Sequence, residues 1–205
     1  MVTQGLLIRM EAREHREHQA ERFLKSVLPL ARQEPGTTAW FALHFGRDEY
    51  GVIDFFPDEA AREAHLNGAA AAMLFAEGGP LFAEVPTIQR LEVLADKVPV
   101  VATNEYSTKA LMLTFRARAG HEPQVEQFLR NAQALAENEE NTVTWFAFRT
   151  GDGEYGIFGT FGAAPGRFDN LTGHIARELA VHARTLLGGV PDIDLIDILA
   201  EKVFA

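Results

Sequence analysis

The sequence predicts an α+β fold made by duplication: two β-α-β-β-α-β repeats whose sheets face each other. Three observations carry this. Shifting the chain by 105 positions lays Leu6 on Leu111 and runs without a gap to Val98 over Val203. Roughly a third of the aligned positions are identical, against a few per cent by chance, so the repeat decides the fold before any single element does. The best-kept stretch, Trp40 to Phe56 (WFALHFGRDEYGVIDFF), returns at Trp145 to Phe161 as WFAFRTGDGEYGIFGTF. It reads as two aromatic and β-branched strands around a tight turn.

Each element follows from local pattern. Gly5 to Met10 is a short apolar run with one charge, a strand buried on both faces or nearly so. From Glu14 to Gln33, Ala20, Phe23, Leu24, Val27, Leu30 and Ala31 recur at helical spacing opposite a charged face. Glu34-Pro35-Gly36 ends that helix, because the residue before proline leaves helical geometry and glycine turns freely. Thr37 to Phe45 and Glu49 to Phe56 are the hairpin, with Gly46-Arg47-Asp48 as its turn and Gly151-Asp152-Gly153 in the second copy. Pro57-Asp58-Glu59 opens a second helix, its acids favoured by the positive helix end. Gly68 interrupts it, Gly78-Gly79-Pro80 stops it, and Ile88 to Ala95 is the last strand. The order is that of a ferredoxin-like sandwich, an antiparallel sheet with two helices on one face. The middle strands leave few polar positions on either face, whereas a sheet covered on one side alternates; hence two sheets packed together. Repeat 1 spans 1–98, a linker 99–109, and repeat 2 spans 110–205.

Composition narrows function. The chain has 205 residues, about 100 per copy, small enough for each copy to gain from a partner. The formal charge of −10 speaks against nucleic acid, which needs a concentrated basic face. With no cysteine, disulfides, thiolate metal sites and thiol nucleophiles are excluded. Neither a signal-peptide core nor a bilayer-spanning run is present, so the expectation is a cytoplasmic protein without a membrane partner. The histidines form no metal set: His15 and His18 share a charged, solvated face. Gly78-Gly79 and Gly188-Gly189 lack any phosphate-loop or dinucleotide fingerprint.

Among side chains with chemistry to offer, His65 stands out. Its helical column is Ala61, His65, Ala69 and Ala72, small neighbours that leave room for close packing or for a cavity. An imidazole titrates near neutrality and would take a proton from a phenol; a hydrogen-bonded interface histidine is the competing reading. Asn170, its counterpart, shares a polar column with Gly166, His174 and Arg177, facing water or lining a wetter pocket. Arg9, His44 and Asp54 lie within strands, where a charge must face water or find a partner. Arg9 would stabilise an anionic oxygen and Asp54 would orient a histidine; pairing among themselves is the alternative. Thr114, Arg149 and Gly159 replace them, so the halves have diverged and the first is the expected active one. Trp40, Phe55 and Trp145 are candidates to wall an apolar pocket for a planar aromatic ligand, alongside the simpler role of core.

Trp-Phe-Ala, Tyr-Gly-(Val/Ile), Phe56-Pro57-Asp58-Glu59-Ala60, Ala64-His65-Leu66-Asn67-Gly68 and Val93-Leu94-Ala95-Asp96-Lys97-Val98 together resemble the antibiotic-biosynthesis monooxygenase family, in particular its small quinol monooxygenase-like members. The resemblance covers nearly all of the first copy and, in the second, mainly Trp145 to Phe161 and Ile198 to Val203. It implies a dimeric α+β barrel held in one polypeptide, open to further homodimerisation. It also implies oxygenation of a phenolic or hydroquinone-type aromatic by O₂ without flavin, haem or metal. In that reading His65 is the base, Arg9 the anion stabiliser and Asp54 the orienting group, with Trp40, His44, Phe55, Trp145, Asn170 and His174 around the substrate. The haem-degrading branch of the resemblance fits poorly. The first strand lacks its Asn, its Trp position holds His65 or Asn170, and its ligand position falls at Phe75 or Ala180, with His182 nearby. A non-catalytic binding or protective module is the remaining reading, since the same scaffold serves several ends.

Overall fold

A computed structural model describes residues 1–99, 107–162, 181–182 and 184–203. Its elements are β1 (Gln4–Glu11), α1 (Glu17–Arg32), β2 (Ala39–Gly46), β3 (Glu49–Phe56), α2 (Glu59–Leu66), α3 (Ala69–Glu77) and β4 (Thr87–Lys97). The second copy gives β5 (Lys109–Arg116), α4 (Glu122–Asn138), β6 (Thr142–Thr150), β7 (Glu154–Phe161) and β8 (Asp192–Val203). Hydrogen-bonded strands follow the order β1-β3-β2-β8-β5-β7-β6-β4, an eight-stranded closed antiparallel barrel, as two fused ferredoxin-like repeats require. The stretch matching α2–α3 in the second copy lies largely outside the described residues. No helix among the described residues is long and apolar enough to cross a membrane.

The compact units do not follow the repeat boundaries 1–98 and 110–205. Unit 1 comprises 1–91 with 196–205, and unit 2 comprises 92–195. The reason is that β4 and β8 are long: each begins in the unit of its own repeat and ends in the other. In unit 1 the end of β8 pairs with β2, Trp40 opposite Lys202.

Alternation along the strands sets what faces the helices in unit 1. Ile8, Met10, Trp40, Ala42, Tyr50 and Val52 pack with Ala20, Leu24, Val27 and Ala31 of α1 and Ala70 and Leu74 of α3. Each large side chain buried in this way contributes about 1.5–3 kcal/mol. Phe41, Ile53 and Phe55, one position out of phase, are just as fully buried. That absence of a wet face is what the strand composition foretold. Unit 2 repeats the arrangement, with Val125, Leu129, Ala132 and Ala136 of α4 on Trp145, Ala147, Tyr155 and Ile157.

The Tyr-Gly pair shared by the copies has a packing cause. A Cβ on Gly51 would come within 2.5 Å of the Ile8 carbonyl oxygen and 2.8 Å of the Phe45 ring. The glycine therefore lets β1 and an aromatic ring close over β3, and Phe148 lies over Gly156 in the same way. Gly51→Ala is expected to destabilise the fold by about 1–3 kcal/mol, the usual range for overpacking, read as a lower midpoint in urea unfolding.

Candidate active site

The site begins with one charged residue in the wrong place for a sheet. Asp54 sits on β3 between β1 and β2, with Leu6 and Trp40 as its cross-strand neighbours. All three point to the helix side, and Asp54 is 1 % exposed. A carboxylate so placed needs a partner.

Helix α2 delivers it. The Asp58 side chain caps the helix by accepting from the Ala61 amide at 2.8 Å. Its buried residues are Arg62 and His65, three apart and on one face. Arg62 donates to the Leu91 carbonyl and pairs with Glu59, while Arg90 binds Glu59 at 2.9 Å and Glu63 at 2.7 Å. These contacts tie α2 to β4 and aim His65 at the sheet. His65 Nε2 lies 3.0 Å from Asp54 Oδ2, and Nδ1 lies 2.5 Å from Glu34 Oε2. Thr37 Oγ1 donates to the same Glu34 oxygen at 2.9 Å. Two carboxylates therefore hold one imidazole by both nitrogens.

Charges in this set are strongly coupled. Burial alone would lower the His65 pKa, but hydrogen bonds and attraction from Asp54 and Glu34 outweigh it and push the value up to about 10. Glu34 is raised by burial, yet its bonds to His65 and Thr37 bring it below the ordinary carboxylate range. Burial dominates at Asp54 and raises its pKa against the pull of His65, helped by the Glu34 charge. At neutral pH His65 is an imidazolium donating from both ring nitrogens, with no lone pair to accept a proton.

Beside this group lies a small cavity lined by Trp40, Asp54, His65, Ala71, Leu74 and the exposed Phe75 among others. At about 10 Å³ it has room for the centre of a single water-sized molecule. The second carboxylate oxygen, Asp54 Oδ1, is buried with no hydrogen-bond partner among the described residues. Buried acceptors are nearly always satisfied, and this orphan belongs to a residue that lines the cavity; Glu34 Oε1, in the same cluster, is likewise buried without a partner among the described residues.

The structure brings His65, Asp54 and Trp40 together and separates the other sequence candidates. Arg9 pairs with Glu49 at 2.6 Å and lies over the Phe45 ring. Its cross-strand partner is Gly51, an odd number of residues from Asp54, so strand alternation puts it on the opposite face of the sheet. His44 contacts the Arg47 carbonyl and stacks on Tyr50 at 4.8 Å, away from the cavity. Phe55 is buried on the face opposite Asp54. Trp145 is buried in unit 2 beside Gly159, which stands where Asp54 stands in unit 1. Asn170 and His174 lie outside the described residues. His182, the nearby haem-ligand candidate, is exposed and meets Phe128 edge-on. The described residues hold no group of three His, Cys, Asp or Glu placed to bind a metal ion.

Glu34 and Thr37 were not among the sequence candidates. A signal for them existed. The pair recurs at Glu139 and Thr142, 105 positions on, and Thr142 Oγ1 again donates to the glutamate at 3.1 Å.

No family model matches the chain, nor does any curated protein. Solved structures do. One described as a "Putative monooxygenase", from Fusobacterium nucleatum, superposes with a TM-score of 0.86 at 14% identity, over 98% of this chain and 94% of that one. A ferredoxin-fold protein from Listeria monocytogenes, described as related to antibiotic biosynthesis monooxygenases, gives 0.56 at 11% identity over 97% and 95%. A protein of unknown function from Nitrosomonas europaea is 48% identical over 49% of this chain and 98% of its own, with a TM-score of 0.48. The fold is thus shared with structures carrying the description that the sequence resemblance suggested.

The raised His65 pKa links folding to pH. The stabilisation it brings is complete below the unfolded-state pKa near 6.5 and is lost as pH rises towards 10. In wild type, thermal stability should fall across that window, and in His65→Gln this His65-linked fall should vanish. His65→Ala, which leaves Asp54 buried without its partner, should cost about 3–5 kcal/mol at pH 7. Thermal melts at stepped pH check all three.

Proposed function

We propose that unit 1 oxygenates a phenolic or hydroquinone-type aromatic with O₂, using Asp54 as the proton acceptor and His65 as the cation that stabilises the phenolate. The observation that carries this reading is the unpartnered Oδ1 of Asp54, a residue that lines a mostly apolar cavity and whose other oxygen is bonded to His65. Strongly perturbed ionisable groups that converge on a cavity favour a functional site over a structural one. The descriptions of the structural neighbours support only its general part, a monooxygenase.

Triplet oxygen reacts poorly with closed-shell phenols, so the substrate must first become electron-rich. Burial raises the Asp54 pKa towards that of a phenol, which improves it as a base. The proton moves from the phenol to Oδ1, and the imidazolium, whose two N–H groups stay on Asp54 and Glu34, acts on the new oxyanion through its charge rather than through a hydrogen bond. For a hydroquinone, one oxygen atom then enters the ring and the other leaves with two hydrogens as water, giving a hydroxyquinone. The substrate supplies all four electrons. Arg9 has no part in this scheme.

The cavity must widen to admit a ring. Helix α3 supplies Ala70, Ala71 and Leu74 to its wall and joins α2 through Asn67 and Gly68, so displacing α3 is the shortest opening. The same small volume favours a second reading, a module that binds a small ligand without turning it over.

An oxygen electrode with a panel of hydroquinones and anthrones separates the two. Wild type should consume one O₂ per product. Asp54→Asn should lose about 10²–10⁴ of that rate while ligand affinity changes little. Uptake equal in wild type and Asp54→Asn would overturn the assignment of Asp54. Saturable binding with no uptake by wild type would establish the second reading instead.

A further inference from the structure

The His65 site in unit 1 is built partly by the second repeat. Lys202, near the end of β8, is 5 % exposed, and its Nζ donates to the Ala31 carbonyl at 3.0 Å and the Glu34 carbonyl at 2.6 Å. The Ala31 carbonyl belongs to the last turn of α1, where the helix carries roughly half a negative charge, and Glu34 follows just past the C-cap Gln33. A carboxylate is poorly placed there, because the helix end repels it. Glu34 nevertheless has its side chain buried enough to touch His65 and Thr37. The Lys202 ammonium answers the negative helix end and fixes the backbone from which the Glu34 side chain extends.

We propose that Lys202, contributed by the last strand of the second repeat, is a positioning residue for the His65 site, holding Glu34 where its carboxylate caps His65 Nδ1. Only its catalytic consequence rests on the oxygenase reading; the placement itself is tested without turnover.

Unit 2 contains the control. Lys97 Nζ donates to the Ala136 and Glu139 carbonyls, both at 2.9 Å, in the position related to Lys202 by the repeat. There the Asp54 counterpart is Gly159. Any general effect of uncapping a helix end therefore appears in both lysine variants, and an effect on His65 in one alone.

The full chain, labelled with ¹⁵N-histidine, is followed by NMR through a pH titration. In wild type the His65 Nδ1 proton should be strongly deshielded and slow to exchange, as a short bond to a carboxylate requires. Lys202→Met should lose that signal, Lys202→Arg should restore it, and Lys97→Met should leave it unchanged. Lys202→Gln, shorter and without the charge that answers the helix end, serves if the methionine variant does not fold; loss of the signal is expected there too. A folded Lys202→Met or Lys202→Gln with the wild-type His65 signal would overturn the proposal, as would equal loss in Lys97→Met. Absent oxygen uptake, by contrast, would sink the oxygenase reading and leave this result standing.

Discussion

A carboxylate buried in the helix-facing layer of a sheet is the constraint from which the rest of unit 1 follows. Removing an ionised group from water costs several kcal/mol even after relaxation. Asp54 bears that cost between Leu6 and Trp40, neither of which returns anything polar. A cation must be brought to it, and His65 is held as that cation by Asp54 itself and by a second carboxylate, Glu34, on the other ring nitrogen. The break between α2 and α3 falls beside this group. A Cβ on Gly68 would come 2.7 Å from Glu34 Oε1, so a side chain there would push on the carboxylate that holds His65. Arg62 and Arg90, which pin α2 to β4, complete the support.

The second copy shows what happens when the constraint is lifted. In unit 2 the row Leu6–Asp54–Trp40 becomes Leu111–Gly159–Trp145. With no buried carboxylate on that strand, the demand for an imidazolium disappears. What persists is the part that belongs to the fold: the glutamate–threonine bond at the helix end and the lysine on its carbonyls. The duplicated scaffold and the divergent chemistry are thereby separated within one chain.

Much of this was legible in the sequence. The period of 105 residues gave the repeats, and the break at Gly68 and both hairpins fell where turn chemistry put them. His65 and Asp54 were visible because each contradicts its surroundings, one in a column of alanines and the other inside an apolar strand. Arg9 was legible as a charge in a strand but not as to side. Its face depends on register, and an odd offset from Asp54 sends it away from His65. Glu34 was hidden because residues flanking a Pro-Gly turn look like solvated loop. Only its recurrence with Thr37 in the second copy distinguished it. The roles within the set were not legible either. Which group holds the proton depends on distances between residues far apart in sequence.

The extent of the last strands carries the final step. In each unit the lysine that caps the long helix lies on a strand from the other repeat: Lys202 for α1 and Lys97 for α4. Neither repeat alone can close the end of its own helix in this way. Each therefore needs the other's final strand, independently of any chemistry at His65. Duplication within one chain makes that supply unconditional, because the donor strand arrives at fixed effective concentration rather than through association of two chains. Once the two copies cannot part, only one must keep the costly buried charges. Asp54 in one copy and Gly159 in the other is a divergence that such a linkage permits.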